Sequence, residues 1–287
     1  MIGTGSCRLL ARMGGRIGIG IGIIAAAILT VPGPRSWAGL AWRIDPAQVL
    51  PLDQLPAEFR ESVAEVIRDH TFHRQGVPDS FPCNAGLYLS LVNEPVLTLA
   101  LWKDLAESPV RLRRLGANRY QGEDGAGTTA TWDFVLRTPR LHVLLAYLNY
   151  TSPRSNARID ARVVLILHTG YYREANSETY IQHDVEAFVK VDSRGWKTLA
   201  RTIRPVIERL LEDQVREAGQ FVSLMSRLVV MHPTWATQIA ANQAQLDSDA
   251  RTRFCDIVAQ NRKPGASNGR PVVVADSGAD PADSRRQ

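Results

Sequence analysis

Between Lys197 and His232 the apolar residues Leu199, Ile203, Val206, Leu210, Ala218, Phe221, Met225 and Leu228 recur mostly three or four positions apart. That spacing predicts an amphipathic helix about 50 Å long at a rise of 1.5 Å per residue. Pro205 cannot donate a backbone hydrogen bond, so the helix either bends there or has its main start there. Upstream the period changes from about 3.6 to 2. Thr179 to Val191 places Ile181, His183, Val185, Ala187, Val189 and Val191 on one face. Tyr180, Gln182, Asp184, Glu186, Phe188 and Lys190 fall on the other, the alternation of a half-buried antiparallel strand. Val110 to Arg114, Arg119 to Gln121, Thr129 to Thr138, Arg140 to Tyr150 and Ile159 to Thr169 read as five further strands. The glycine-rich stretch Gly122 to Gly127, Pro139 and the SPRSN run at 152–156 separate them. Arg140 to Tyr150 is apolar on both sides and is expected to be covered on both. Six strands in meander order expose an apolar face that needs a cover, and the long helix supplies one.

The chain before the strands has helical periods. Residues 57–73 place Phe59, Val63 and Val66 or Ile67 on one side of an amphipathic helix. Pro82 to Ser90 fits either period and is read as helix. Asn93 then serves as the expected cap of a helix that has Pro95 in its first turn and runs to about Ala106. After Pro233, a short helix is expected within Trp235 to Asp247. These elements give a segment 1–38, an extended linker 39–56, a single α+β domain 57–248 and a mostly unstructured tail 249–287.

Charge placement changes the functional picture. The formal charge of +5 suggests nucleic acid, but residues 1–38 hold Arg8, Arg12, Arg16 and Arg35 with no acid, and the rest has 30 basic against 29 acidic residues. A nearly neutral domain has little long-range field for a polyanion, so a nucleic-acid partner is not expected. Arg8, Arg12 and Arg16 precede an apolar run at 17–31, and Ser36-Trp37-Ala38 offers small residues at a cleavage boundary. This is the layout of an export signal, with a retained membrane anchor as the alternative. An exported chain would keep Cys83 and Cys255, which allow one disulfide or two separate thiols. Two cysteines make no thiolate zinc site and the six histidines show no ligand spacing, so no metal or cofactor is expected. His70 and His73, three apart on the expected helix, read as exposed polar residues.

Three features in order carry a resemblance over roughly Ala85 to Leu228. They are Leu101-Trp102-Lys103-Asp104-Leu105, the strand phrase Arg114 to Gln121 (RLGANRYQ), and the long helix with its early proline in Ile203-Arg204-Pro205-Val206. In this order the chain resembles the START-like or Bet v 1-like helix-grip superfamily, also called SRPBCC-type. The resemblance implies a curved antiparallel sheet of about six strands wrapped on the C-terminal helix, with a lipid or other apolar ligand between them. Under that architecture the candidate ligand-binding residues are Trp132, Tyr147, Tyr150, His183 and Arg204. For each a plainer role stands beside it: core packing for the aromatics, an internal hydrogen bond for His183, a solvated helix face for Arg204. Asp133 and Arg137 are placed together on a solvent face of their strand.

The leading functional reading is binding of a lipid-like or other apolar small molecule by an exported protein. The chain has no nucleophile elbow, no His-Glu-x-x-His and no phosphate loop, so no catalytic residues are assigned. A cyclase or hydrolase using the same cavity, and an interaction domain with no cavity, are the two alternatives.

Overall fold

The computed structural model describes residues 44–151, 158–175, 178–192 and 221–262. The expected signal or anchor, the long helix up to residue 220 with Arg204 and Pro205, and the chain beyond 262 lie outside the described residues.

One antiparallel sheet organises the α+β fold. Its strands are β1 (Phe72–Gln75), β2 (Asp79–Pro82), β3 (Arg111–Arg114), β4 (Arg119–Glu123), β5 (Thr128–Arg137), β6 (Leu141–Thr151), β7 (Arg158–Arg173) and β8 (Thr179–Val191). They lie in the order β1-β8-β7-β6-β5-β4-β3, with β2 also paired to β8. The expected six-strand meander is β3 to β8. β1 and β2 extend it by pairing with the otherwise open edge of β8, through partners such as His73 with Phe188 and Phe81 with Ile181. This corrects the helix expected over 57–73, which ends at Arg68 and leaves His73 on a strand. Pairing with an open edge satisfies a row of backbone groups at once, and that outweighs a local helical period.

The strands are long where the alternation is long, and the sheet bends where the alternation slips. Between Phe134 and Leu136 the β5–β6 register shifts, with Phe134 opposite Leu144 and Leu136 opposite Val143. Val135 is the extra residue of this bulge, so Leu136 and Arg137 each change face. Arg137 therefore does not share a solvent face with Asp133. Its guanidinium lies 4.0 Å above the Phe134 ring, while Asp133 is buried on the other side of the sheet.

The outer face of the sheet is closed by the N-terminal region. The expected extended linker instead folds from Pro46 into a short helix α1 (Pro46–Val49) and a 3-10 turn (Leu52–Gln54) that seat Leu50 and Leu55 in the core. Helix α2 (Ala57–Arg68) lays Val63, Val66 and Ile67 against Val143, Leu145, Val164, Ile166 and Phe188. Ionic contacts fix its position over the strands. Arg162 donates to both carboxylate oxygens of Glu65 at 2.6 and 3.0 Å and to both of Asp192 at 2.9 Å, and Lys190 also pairs with Glu65.

The remaining helices gather on the inner side. Asn84 caps α3 (Ala85–Asn93) by accepting from the Gly86 and Leu87 amides. Asn93 closes that helix instead of capping the next one. α4 (Pro95–Leu105) starts at Pro95 with Glu94 in the cap position, and the two helix axes differ by 92°. The long run contributes a described helix α5 (Phe221–Met231), and Pro233 begins α6 (Pro233–Ala241). α7 (Ser248–Gln260) occupies the start of the stretch expected to be unstructured, because Ala250, Phe254 and Val258 recur every four residues and bury one stripe among largely polar neighbours. Trp235 Nε1 donates to Asp104 at 2.8 Å and ties α6 to α4. Among the described residues no single helix is long and apolar enough to cross a membrane.

Candidate functional site

The pleat divides the candidate residues. Trp132, Tyr150 and His183 are on the inner face, and Tyr147 is on the outer face, paired in register with Thr131 and Arg162 and partly exposed. Tyr147 therefore cannot line the same space as the other three. In an unbulged stretch of strand, residues an odd number of positions apart lie on opposite faces. Trp132 is fully buried and stacks on Tyr120 across the β4–β5 ladder, with ring centroids 5.6 Å apart. His183 is buried between Phe81 and Tyr88. Its Nδ1 is 3.1 Å from Tyr88 Oη, which is 3.2 Å from Thr169 Oγ1. Burial pushes the Tyr88 hydroxyl pKa up, so it remains a protonated donor. Sequence reading missed Tyr88 and Thr169 because the contact joins a helix to two strands far apart in the chain.

A second histidine also sits on the inner face. His142 Nε2 is 3.1 Å from Asn93 Oδ1, so Nε2 carries the proton and Nδ1 is left as a buried acceptor with no partner among the described residues. Burial first, and the charge of Arg137 second, push its pKa down to about 4. Tyr120 Oη, Trp132 Nε1, Tyr150 Oη and Thr128 Oγ1 are further buried polar atoms of this face without a hydrogen-bond partner among the described residues.

Beyond this packed region, a partly open pocket of about 370 Å³ lies where the ends of β2 and β8 approach α5. Pro82, Cys83, Asn84, Thr179, Val230 and Met231 line it, with Glu178, Arg227 and Asn261 also on its walls, and its surface is mostly apolar. The volume falls in the range of small-molecule sites. Cys83 and Cys255 border one apolar cluster beside the pocket and both are free thiols, so the pairing allowed by the sequence is not formed. Cys83 Sγ is 3.3 Å from the Asn84 carbonyl oxygen, and burial pushes its pKa up to about 11. A thiol held protonated in this way is a packing group at neutral pH, because the thiolate is the nucleophilic form. Among the described residues no group of three or more His, Cys, Asp or Glu side chains is placed to hold a metal ion.

Fold and site together define an α+β protein with a large antiparallel sheet and an apolar pocket at one end of it. No family model and no curated protein matches the chain. Among solved structures it is similar to a conserved protein from Geobacillus kaustophilus, at 12% identity and a TM-score of 0.31, over 50% of this chain and 95% of that one. A hypothetical protein from Helicobacter pylori is 9% identical with a TM-score of 0.29, over 64% of this chain and 100% of that one. Ara h 8.0201 is 11% identical with a TM-score of 0.24, over 50% and 98% of the two chains. These values are too low for any property of those proteins to be carried over.

Proposed function

We propose that the chain is an exported helix-grip-type binding protein that holds an apolar small molecule between its sheet and its C-terminal helix. The observation that supports this reading is the mostly apolar pocket of about 370 Å³ at the junction of β2, β8 and α5. Binding is favoured over nucleophilic catalysis because the thiol on the pocket wall is protonated at neutral pH. Arg204 keeps its proposed role as a partner for a polar ligand group, and the segment 17–31 its proposed role in export.

The test is organic extraction of the purified protein followed by mass spectrometry, with Val230→Arg and Met231→Glu as pocket controls. An apolar compound enriched with the native protein and lost from both variants is the expected result. If the native protein yields no enriched compound and does not displace or bind an apolar dye, the binding reading falls. Sequencing the mature N-terminus of the secreted or membrane fraction tests export separately.

A further inference from the structure

The inner face of β4, β5 and β6 departs from the usual rule that buried polar atoms find partners. Tyr120 and Trp132 are 0% exposed, Thr128 3%, Asp124 4% and Tyr150 4%. Among the described residues Tyr120 Oη, Trp132 Nε1, Thr128 Oγ1 and Tyr150 Oη have no hydrogen-bond partner, and neither has Asp124 Oδ2. Four of the five are neighbours by register. Tyr120 pairs with Trp132, Thr128 pairs with Tyr150, and only Ala130 separates the two pairs along the inner side of β5. Asp124 holds the β4–β5 turn through Oδ1, which accepts from the Ala126 and Thr128 amides, and its Oδ2 is buried with no partner among the described residues.

We infer that this patch hydrogen-bonds the oxygen-bearing part of a neutral, otherwise apolar small molecule, such as a ketone or an alcohol. The assignment rests on the proposed binding between sheet and helix and adds the class of ligand. Trp132 can only donate, so it requires an acceptor in the ligand, and Asp124 Oδ2 requires a donor. A hydroxyl provides both functions and a carbonyl the first. An anionic ligand is disfavoured by Asp124, and the described arginines beside the patch already have partners. Arg114 is directed to Glu94 at 3.8 Å, and Arg137 donates to the carbonyl oxygens of Asn93 and Ala117. The surrounding side chains, Ala130, Phe134 and Leu148, are apolar and suit the hydrocarbon part of such a molecule.

Three probes of equal chain length separate the possibilities: decane, 2-decanone and 1-decanol, measured by displacement of an apolar fluorescent dye from the full chain. The oxygenated probes are expected to bind about tenfold more tightly than decane, the gain of roughly one hydrogen bond to a fixed group. Tyr120→Phe and Tyr150→Phe remove only a hydroxyl each. They should reduce that preference several-fold while melting at the same or a higher temperature, since an unpaired buried group has been deleted. Equal binding of the three probes overturns the inference and leaves the binding reading intact, and points to water on these groups. A fall in melting temperature of about 3 °C or more in both variants also overturns it, because the hydroxyls then serve the fold itself. Failure of every probe to bind removes the proposed function as well.

Discussion

The two faces of the sheet solve the same burial problem in different ways. On the outer face, the charged groups between sheet and helix pair with one another: Glu65 with Arg162 and Lys190, and Arg162 with Asp192. On the inner face aromatic and hydroxyl side chains are buried more deeply than those charged groups, yet several of their polar atoms have no partner among the described residues. A buried unpaired donor or acceptor costs about 1–3 kcal/mol, whereas a paired one is roughly neutral or favourable. The outer face is therefore the scaffold, and the inner face keeps hydrogen-bonding capacity that is unmet among the described residues, which the inferred ligand would use.

The largest effect that breaks this contrast is expected on the scaffold side. Phe188 is fully buried against α2 and stacks on His73 at 4.3 Å. Phe188→Ala should lower unfolding free energy by about 3–5 kcal/mol, read as the shift of a urea midpoint at constant slope. A loss below about 1 kcal/mol would show that α2 is only loosely attached.

Acid titration separates the faces by pH. The inner-face His142 has its pKa lowered from 6.5 to about 4, so its neutral form is the one the fold holds. Its contribution is full above pH 6.5 and is lost as pH falls from 6.5 to 4, because the unfolded chain takes up the proton first. The shift corresponds to a loss on the order of 3 kcal/mol. His142→Gln should flatten the stability profile in that window, as followed by thermal melts between pH 4 and 7. An unchanged profile would mean that His142 is not buried in its neutral form.

The outer-face Glu65 has its pKa lowered from 4.5 to about 2, chiefly by the hydrogen bond from Arg162 and next by that from Lys190. Its contribution is present above pH 4.5 and is lost as pH falls toward 2. Glu65 is a third exposed, so solvent screening limits the effect to about 1–2 kcal/mol. Glu65→Gln should remove the acid-sensitive step below pH 4.5 and leave the His142 window in place. If instead both windows vanish together, the two faces do not titrate independently.

Much of the sheet was legible because its strands are long and alternate strictly. The expected bounds of β8 coincide with Thr179–Val191, and those of β5 and β6 differ by one residue at each end. The alternation also put Tyr147 opposite Tyr150, although both had been grouped as candidate ligand contacts by residue type. What escaped was any feature whose cause lies elsewhere in the chain. β1 forms because the β8 edge is there to pair with, and α7 is visible only once Phe254 and Val258 have a core to enter. The pocket could not be foreseen, because its walls come from strand ends, a helix cap and α5.

By itself, the sequence determined the period of each long element, and hence which side chains share a face. That is a local consequence of backbone geometry. Tertiary structure decided which face was closed by paired charges, where the bulge at Val135 redirected Arg137, and which buried hydroxyls have no partner among the described residues. Those outcomes depend on distances between residues far apart in the chain, and local periodicity carries no information about them.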